Sequence, residues 1–219
     1  MNAPERAMRA LDEFEAKQLL AGYGVPVVPE RCVMGVEAAA QAARELGYPV
    51  ALKGCGAAFA HKTELGLVAL DLPNEAALRE AAARLQGVMQ GQGRLLVQRM
   101  VRGRREFLAG LSRDPQYGPV VSFGLGGIFA EELADISLRL VPLSAADARA
   151  MLGEFRAHAL LGPTRGLPAV DAQMLVDVLL GLSRLAQDRP DIVAVDINPL
   201  VVDGARPLAV DALVLVRTP

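Results

Sequence analysis

The sequence is poor in the residues that mark several common roles. Two cysteines, Cys32 and Cys55, among 219 residues are too few for a disulfide framework or a four-thiolate zinc site. Such sparse thiols suit a reducing cytosol. Tryptophan is absent and aromatics make up 4% of the chain, which removes any stacking platform for single-stranded nucleic acid. Neither sign of charge dominates, with 23 Lys and Arg against 25 Asp and Glu scattered along the chain and a net charge of -2. That balance lacks the basic footprint of a nucleic-acid partner and the like-charge block of an interaction tail. Long apolar runs are missing too. The longest uncharged stretch, residues 115–130, holds five Gly or Ser and two Pro, short of the roughly 18 apolar residues of a membrane span. The segment Met1 to Lys17 carries Glu5, Arg6, Arg9, Asp12, Glu13 and Glu15, which leaves no room for the apolar core of a secretion signal. The expectation is a soluble cytoplasmic α/β protein that works without nucleic acid or membrane.

What is present is apolar patterning, 52% of the residues, on a chain long enough for one domain of two lobes. Ala16, Leu19, Leu20 and Tyr23 have helical spacing, stopped at Gly24 and Pro26. A strand over 27–33 follows, then a helix marked by Val36, Ala39, Ala40, Ala43 and Leu46. Residues 49–53 read as a strand, 54–63 as a small-residue loop and 67–72 as a second strand. Asn74 is placed to cap a helix whose Leu78, Ala81, Ala82, Leu85 and Met89 share a face. Strands are expected at 95–101, 106–112 and 120–123, and Ser144 with Asp147 has the spacing of a capping box. A helix over 171–187 and paired strands at 192–202 and 207–216 complete the chain. Alternating elements early and paired strands late predict a two-lobed α/β fold, divided into residues 1–97 and 98–219.

Several positions carry chemistry. Gly56-x-x-x-x-His61-Lys62-Thr63 misses the P-loop pattern by one residue, and it leads into a strand where a P-loop must open a helix. A loop of small residues with His and Lys can still close over phosphates; a mobile surface hairpin is the other reading. Lys53 ends an apolar strand, so its ammonium emerges near Lys62, and two such lysines suit a polyphosphate or are simply solvated. Gly124-Leu-Gly126-Gly127 presents backbone N–H groups to an anion or forms a plain turn.

The C-terminal strands allow two registers around Asp203-Gly204. A two-residue turn there sets Asp196 opposite Asp211, whereas pairing Val202 with Pro207 sets Asn198 opposite Asp211. Asp196 and Asn198 share a face because strand side chains alternate. Either register brings oxygen-bearing groups together inside apolar strands, which suits a hard divalent cation such as Mg2+ or else an acidic edge facing water.

Together these residues resemble the ATP-grasp subunit or domain of the NDP-forming acyl-CoA synthetases, over about Leu11 to Val216. The similarity is greatest to the β subunit of ADP-forming acetate–CoA ligase, and more distant to that of succinyl-CoA synthetase. It rests on residues 11–26 as the opening helix and turn, Lys53, the His61-Lys62 pair, Phe123-Gly-Leu-Gly-Gly127, Asp196-Ile-Asn-Pro-Leu200 and Asp211. The family usually has Ser-Pro-Asp-Ile where this chain has Gly56-Ala-Ala-Phe59, and Gly-Gly in place of Gly66-Leu67. The resemblance implies a two-lobed ATP-grasp fold, ATP or ADP held by Lys53 and Lys62, adenine recognition at Gln98 and Val101, and ribose held by Glu106. It further implies Mg2+ on Asn198 and Asp211, with His61 as a phosphoryl carrier to a partner's phosphohistidine. The partner would be a CoA-binding α subunit in an α2β2-type complex. The activity implied is acid–CoA ligation forming ADP. A non-catalytic nucleotide-binding regulatory subunit and a stand-alone ATP-grasp carboxylate–amine ligase are the alternatives.

Overall fold

The computed structural model describes residues 7–56, 59, 65–127 and 135–218. In chain order the first half runs β1 (Met8–Ala10), α1 (Glu13–Gly22), β2 (Glu30–Val33), α2 (Val36–Leu46), β3 (Val50–Cys55), β4 (Val68–Leu72), α3 (Glu75–Val88) and β5 (Arg94–Arg99). The second runs β6 (Glu106–Asp114), β7 (Gly118–Leu125), β8 (Ile136–Leu140), α4 (Ala145–Glu154), α5 (Ala172–Asp188), β9 (Ile192–Asp203), β10 (Arg206–Ala209) and β11 (Leu213–Arg217). The chain forms two units: the described residues of 12–15 and 28–101, and those of 1–11, 16–27 and 102–219. The sequence suggested one cut after residue 97. By compactness the unit built on β2–β5 ends at residue 101; residues 1–11 group with the later unit, where β1 pairs with β11, as do residues 16–27, where Ala16 and Leu20 join its core.

In the unit built on 28–101, four antiparallel strands lie in the order β2-β5-β3-β4. Helices α2 and α3 bury Ala39, Ala40 and Ala43, and Leu78, Ala81, Ala82 and Leu85, against Val50, Leu52, Leu95 and Val97. Each of these leucines contributes about 2 kcal/mol of transfer free energy. Asn74 caps α3 by accepting from Ala77 N–H at 3.0 Å. The other face, set by strand alternation, carries Ala51, Lys53 and Cys55 on β3, Arg94, Leu96 and Gln98 on β5, and Glu30 and Cys32 on β2. Residues 12–15 pack there. Asp12 binds Arg94 at 2.6 Å, and the Arg94 guanidinium lies 5.9 Å from the Phe14 ring centroid.

The other unit holds a seven-stranded sheet in the order β1-β11-β9-β6-β7-β8, with β10 also on β9. Its core joins Ala16 and Leu20 of α1, the buried stripe Leu175, Val178, Leu179, Leu182 and Leu185 of α5, and inward residues of β6, β7 and β9. Phe107, Phe123 and Phe155 meet at centroid distances of 5.6, 6.1 and 5.4 Å, one pair stacked and two edge-on. The expected capping box is present, with Ser144 Oγ accepting from Asp147 N–H at 3.1 Å and Asp147 Oδ2 accepting from Ser144 N–H at 2.9 Å.

Several strand expectations change, among them the strand over 49–53, which runs on as β3 to Cys55 and so sets Lys53 inside it. The strand over 27–33 shortens to β2 because Pro26 and Pro29 have no N–H to donate, and Val27 makes only an isolated bridge to Ala209. The strand over 207–216 is interrupted at 210–212, leaving β10 and β11. Strands β1 and β8, both at sheet ends, were not foreseen. Among the described residues no helix is long and apolar enough to cross a membrane.

Asp12 caps α1, accepting from Glu15 N–H at 2.9 Å while its own N–H donates to Glu15 Oε2 at 3.3 Å. Its burial opposes ionisation, but the Glu15 N–H and Arg94 outweigh that and hold the carboxyl below its ordinary 3.8. A depressed acid stabilises the fold above its unfolded value and loses that stabilisation as pH falls through the folded one. Asp12→Ala is therefore expected to cost about 1–2 kcal/mol at neutral pH, the worth of a cap. The gap from wild type should close below about pH 3.8 in urea melts followed by circular dichroism.

Candidate functional site

Lys53 sits on β3, where Val50 and Leu52 point to the helices and alternation sends Lys53 to the opposite face. It is buried, and Nζ lies 2.6 Å from Glu13 Oε1. Gln98 Nε2 donates to the same Glu13 oxygen at 3.1 Å and to Glu30 Oε2 at 2.8 Å. One lysine and one amide thus bridge two buried carboxylates, the compensation that buried charge requires. Beside them the Cys55 thiol hydrogen-bonds Cys32, which pushes Cys55 up and Cys32 down; Arg94 adds to the lowering. Val101 follows β5 half-buried. His61 and Lys62 lie outside the described residues.

Described residues at the two ends of the loop pack locally. Leu67 is buried in the core of this unit. It fits because Gly54 has no Cβ; one there would lie 3.2 Å from Leu67 Cβ and 3.0 Å from Met89 Sδ. Phe59 donates its N–H to the Gly56 carbonyl at 2.9 Å and packs at the edge of the same core.

In the other unit, β9 is distorted at Asn198, one of the candidate oxygen ligands. Ala109 pairs with Ile197 and Phe107 with Leu200, so Asn198 and Pro199 together oppose the single residue Leu108. This is a β-bulge, and Pro199 cannot donate to the ladder in any case. Of the two registers considered, the one pairing Val202 with Pro207 is found, closed by a turn at Gly204-Ala205. Ala209 faces Leu200 and Leu213 faces Asp196, so Asp211, in the break between β10 and β11, is level with Asn198. Lys17, fully buried, reaches the Val210 carbonyl at 3.5 Å and braces this break. Desolvation of its carboxyl and the charge of Asp211 push the Asp196 pKa up.

The glycine run closes the same neighbourhood. A Cβ on Gly126 would lie 2.5 Å from the Phe107 carbonyl, and one on Gly127, at φ +80°, would lie 2.6 Å from Glu106 Oε2. Gly126 N–H donates to the Glu106 carbonyl at 2.9 Å and Gly127 N–H to Asn198 Oδ1 at 3.4 Å. The run is glycine because it crosses the start of β6 at backbone contact, which brings Glu106, Gly127 and Asn198 together. Arg105, adjacent and buried, donates to four carbonyls (Leu160, Gly162, Pro168 and Gly204) at 2.7–3.1 Å and fixes the root of β6.

The donors present are one carboxamide and two neighbouring carboxylates, and among the described residues no cluster of three His, Cys, Asp or Glu forms a closed cage. That set fits Mg2+, which keeps waters and substrate phosphate oxygens among its ligands. Glu13, Lys17 and Arg105 escaped the sequence reading. For Lys17 the available signal was a charged residue inside a segment with apolar helical spacing; Arg105, just before β6, offered none.

A family model described as an ATP-grasp domain matches residues 2–216. The β subunit of ADP-forming acetate–CoA ligase I from Pyrococcus furiosus is 36% identical over 213 residues, covering 93% of this chain and 90% of that one. Among solved structures, the Candidatus Korarchaeum cryptofilum dinucleotide forming acetyl-coenzyme A synthetase 1, in complex with coenzyme A, Ca-AMPCP and HgCl+, superposes with a TM-score of 0.89 at 35% identity over 95% of this chain and 94% of that one. A second structure of that enzyme, with coenzyme A and Mg-AMPPCP and its phosphohistidine segment pointing towards the nucleotide binding site, gives 0.84 at 35% identity over 95% and 93%. With a family model matching residues 2–216 and a relative matched over 93% of this chain and 90% of its own length, the chain belongs to the ATP-grasp family, in the same group as the β subunits of ADP-forming acetate–CoA ligases.

Proposed function

We propose that this chain is the nucleotide-binding, phosphoryl-transferring β subunit of an ADP-forming acyl-CoA synthetase, acting with a separate CoA-binding α subunit. The reaction is ATP + carboxylate + CoA to acyl-CoA + ADP + phosphate. The observation that carries this reading is the match over 93% of this chain and 90% of a protein named as such a β subunit. The chemistry of the sites agrees with it. Lys53 and Lys62 supply positive charge to the nucleotide phosphates, Gln98 and Val101 flank the adenine and Glu106 accepts from the ribose hydroxyls. Asn198 and Asp211 hold Mg2+, which neutralises phosphate charge when bound. His61 accepts the phosphoryl group on an imidazole nitrogen and returns it, which divides one long transfer between nucleotide and partner histidine into two short ones. The Mg-AMPPCP complex of the Korarchaeum enzyme, with its phosphohistidine segment towards the nucleotide, supports a histidine-borne route. The working assembly is an α2β2-type complex in the cytoplasm.

Two outcomes check this. The purified chain should bind ATP in calorimetry yet make no acyl-CoA from acetate or larger acids, and adding the α subunit should start turnover; robust synthesis by the isolated chain would overturn the subunit reading. Asp211→Asn should weaken Mg·ADP binding roughly ten- to a hundredfold, the effect of losing a charged ligand. Unchanged Mg·ADP affinity in a folded variant would remove Asp211 from the metal site.

A further inference from the structure

Helix α1 opens with Asp12-Glu13-Phe14-Glu15, and a carboxylate in a first helical turn ordinarily faces water, where the helix dipole already favours it. Glu13 does not. Its side chain is 4% exposed and that of Lys53 7%, and their charged atoms stand 2.6 Å apart. The Gln98 amide adds a second donor to the same oxygen at 3.1 Å. An ammonium buried on a sheet face without a counter-charge holds its proton weakly, because desolvation disfavours the charged form.

We propose that Glu13 is a positioning residue for Lys53: it fixes the ammonium on the inner face of β3 and keeps it protonated, so that Lys53 meets the nucleotide phosphates as a full positive charge. The proposal rests on the reading of Lys53 as a phosphate ligand. The other groups on this face have their own partners or no charge. From the start of α1, Asp12 binds Arg94 of β5 at 2.6 Å. From β2, Glu30 accepts the Gln98 amide at 2.8 Å, and the Cys32 thiol is hydrogen-bonded by Cys55 of β3. β4 sets uncharged Val68 beside Lys53. Glu13 meets Lys53 head on.

The chain has three lysines, Lys17, Lys53 and Lys62, so Lys53 can be followed alone by NMR of ε-13C-lysine in the full chain, assigned with Lys53→Arg. In Glu13→Gln, Lys53 should lose its proton at a pH on the order of one unit or more below wild type. ATP affinity of wild type should be flat from about pH 6.5 to 9. That of Glu13→Gln should fall as pH rises, approaching roughly tenfold per unit above the lowered midpoint. Glu13→Asp, which keeps the charge at shorter reach, should restore most of the flat profile. A lowered Lys53 midpoint with ATP affinity indifferent to it would uphold Glu13's hold on Lys53 and count against Lys53 as a phosphate ligand. An unmoved Lys53 titration in Glu13→Gln, or in the conservative Glu13→Asp a profile no flatter than that of Glu13→Gln, overturns the proposal.

Discussion

An ammonium inside a protein has given up its water, and the arrangement around Lys53 follows from the need to replace it. The apolar run that makes β3 a buried strand also forces its one charged residue onto the sheet face away from the helices. Glu13 supplies the counter-charge, Gln98 satisfies Glu13 and reaches Glu30, and Arg94 secures Asp12 beside them. Each bond depends on the one before it, because half a buried polar network is worse than none. This explains why residues 12–15 group with a sheet that begins at residue 30, while the rest of α1 packs in another core. Lysine is used sparingly: the two described ones, Lys17 and Lys53, are both buried and held, and among the described residues the exposed cations are arginines.

The second unit meets a different constraint with backbone. The oxygen-bearing side chains of this unit stand where the ladder is irregular. Two residues oppose one at Asn198-Pro199 of β9, and residues 210–212 belong to neither β10 nor β11, although Val210 N–H still donates to the Pro199 carbonyl at 3.3 Å. Arg105, with four carbonyls, and the glycine run, at contact with Phe107 and Glu106, hold the adjoining start of β6 rigidly. The proposed cation site would thereby rest on strands and a clamped loop, which gives more precision than free loops would.

Much of this was legible in the sequence because the signals were local. The stripes of α3 and α5 and the Asn74 and Ser144 caps all depend on residues a few positions apart. Lys53, expected to emerge at a strand end, lies instead inside β3 and is buried, because the strand runs on to Cys55. The ATP-grasp fold was legible because its distinct motifs are spread along nearly the whole chain, the range the family model matches. Two registers for the C-terminal strands were equally consistent with alternation, and only the turn at Gly204-Ala205 selects the one that levels Asn198 with Asp211. What was not legible is what depends on distant partners. β1 has three residues and owes its existence to β11, while β8, paired on one side only, has no periodicity beyond five residues. Glu13 read as one more acid in a helical segment, since no spacing in the sequence connects it to a lysine forty positions later.

The central claim is that Glu13 and Lys53 act as one unit. A double-mutant cycle of Glu13→Gln and Lys53→Met, read as stability in urea, tests it most directly. Either single change leaves a buried charge without its partner, so each should cost more than the pair of changes together, with a coupling of about 1–3 kcal/mol. Additive effects, within about 0.5 kcal/mol, would mean the two residues do not depend on each other and would contradict the account.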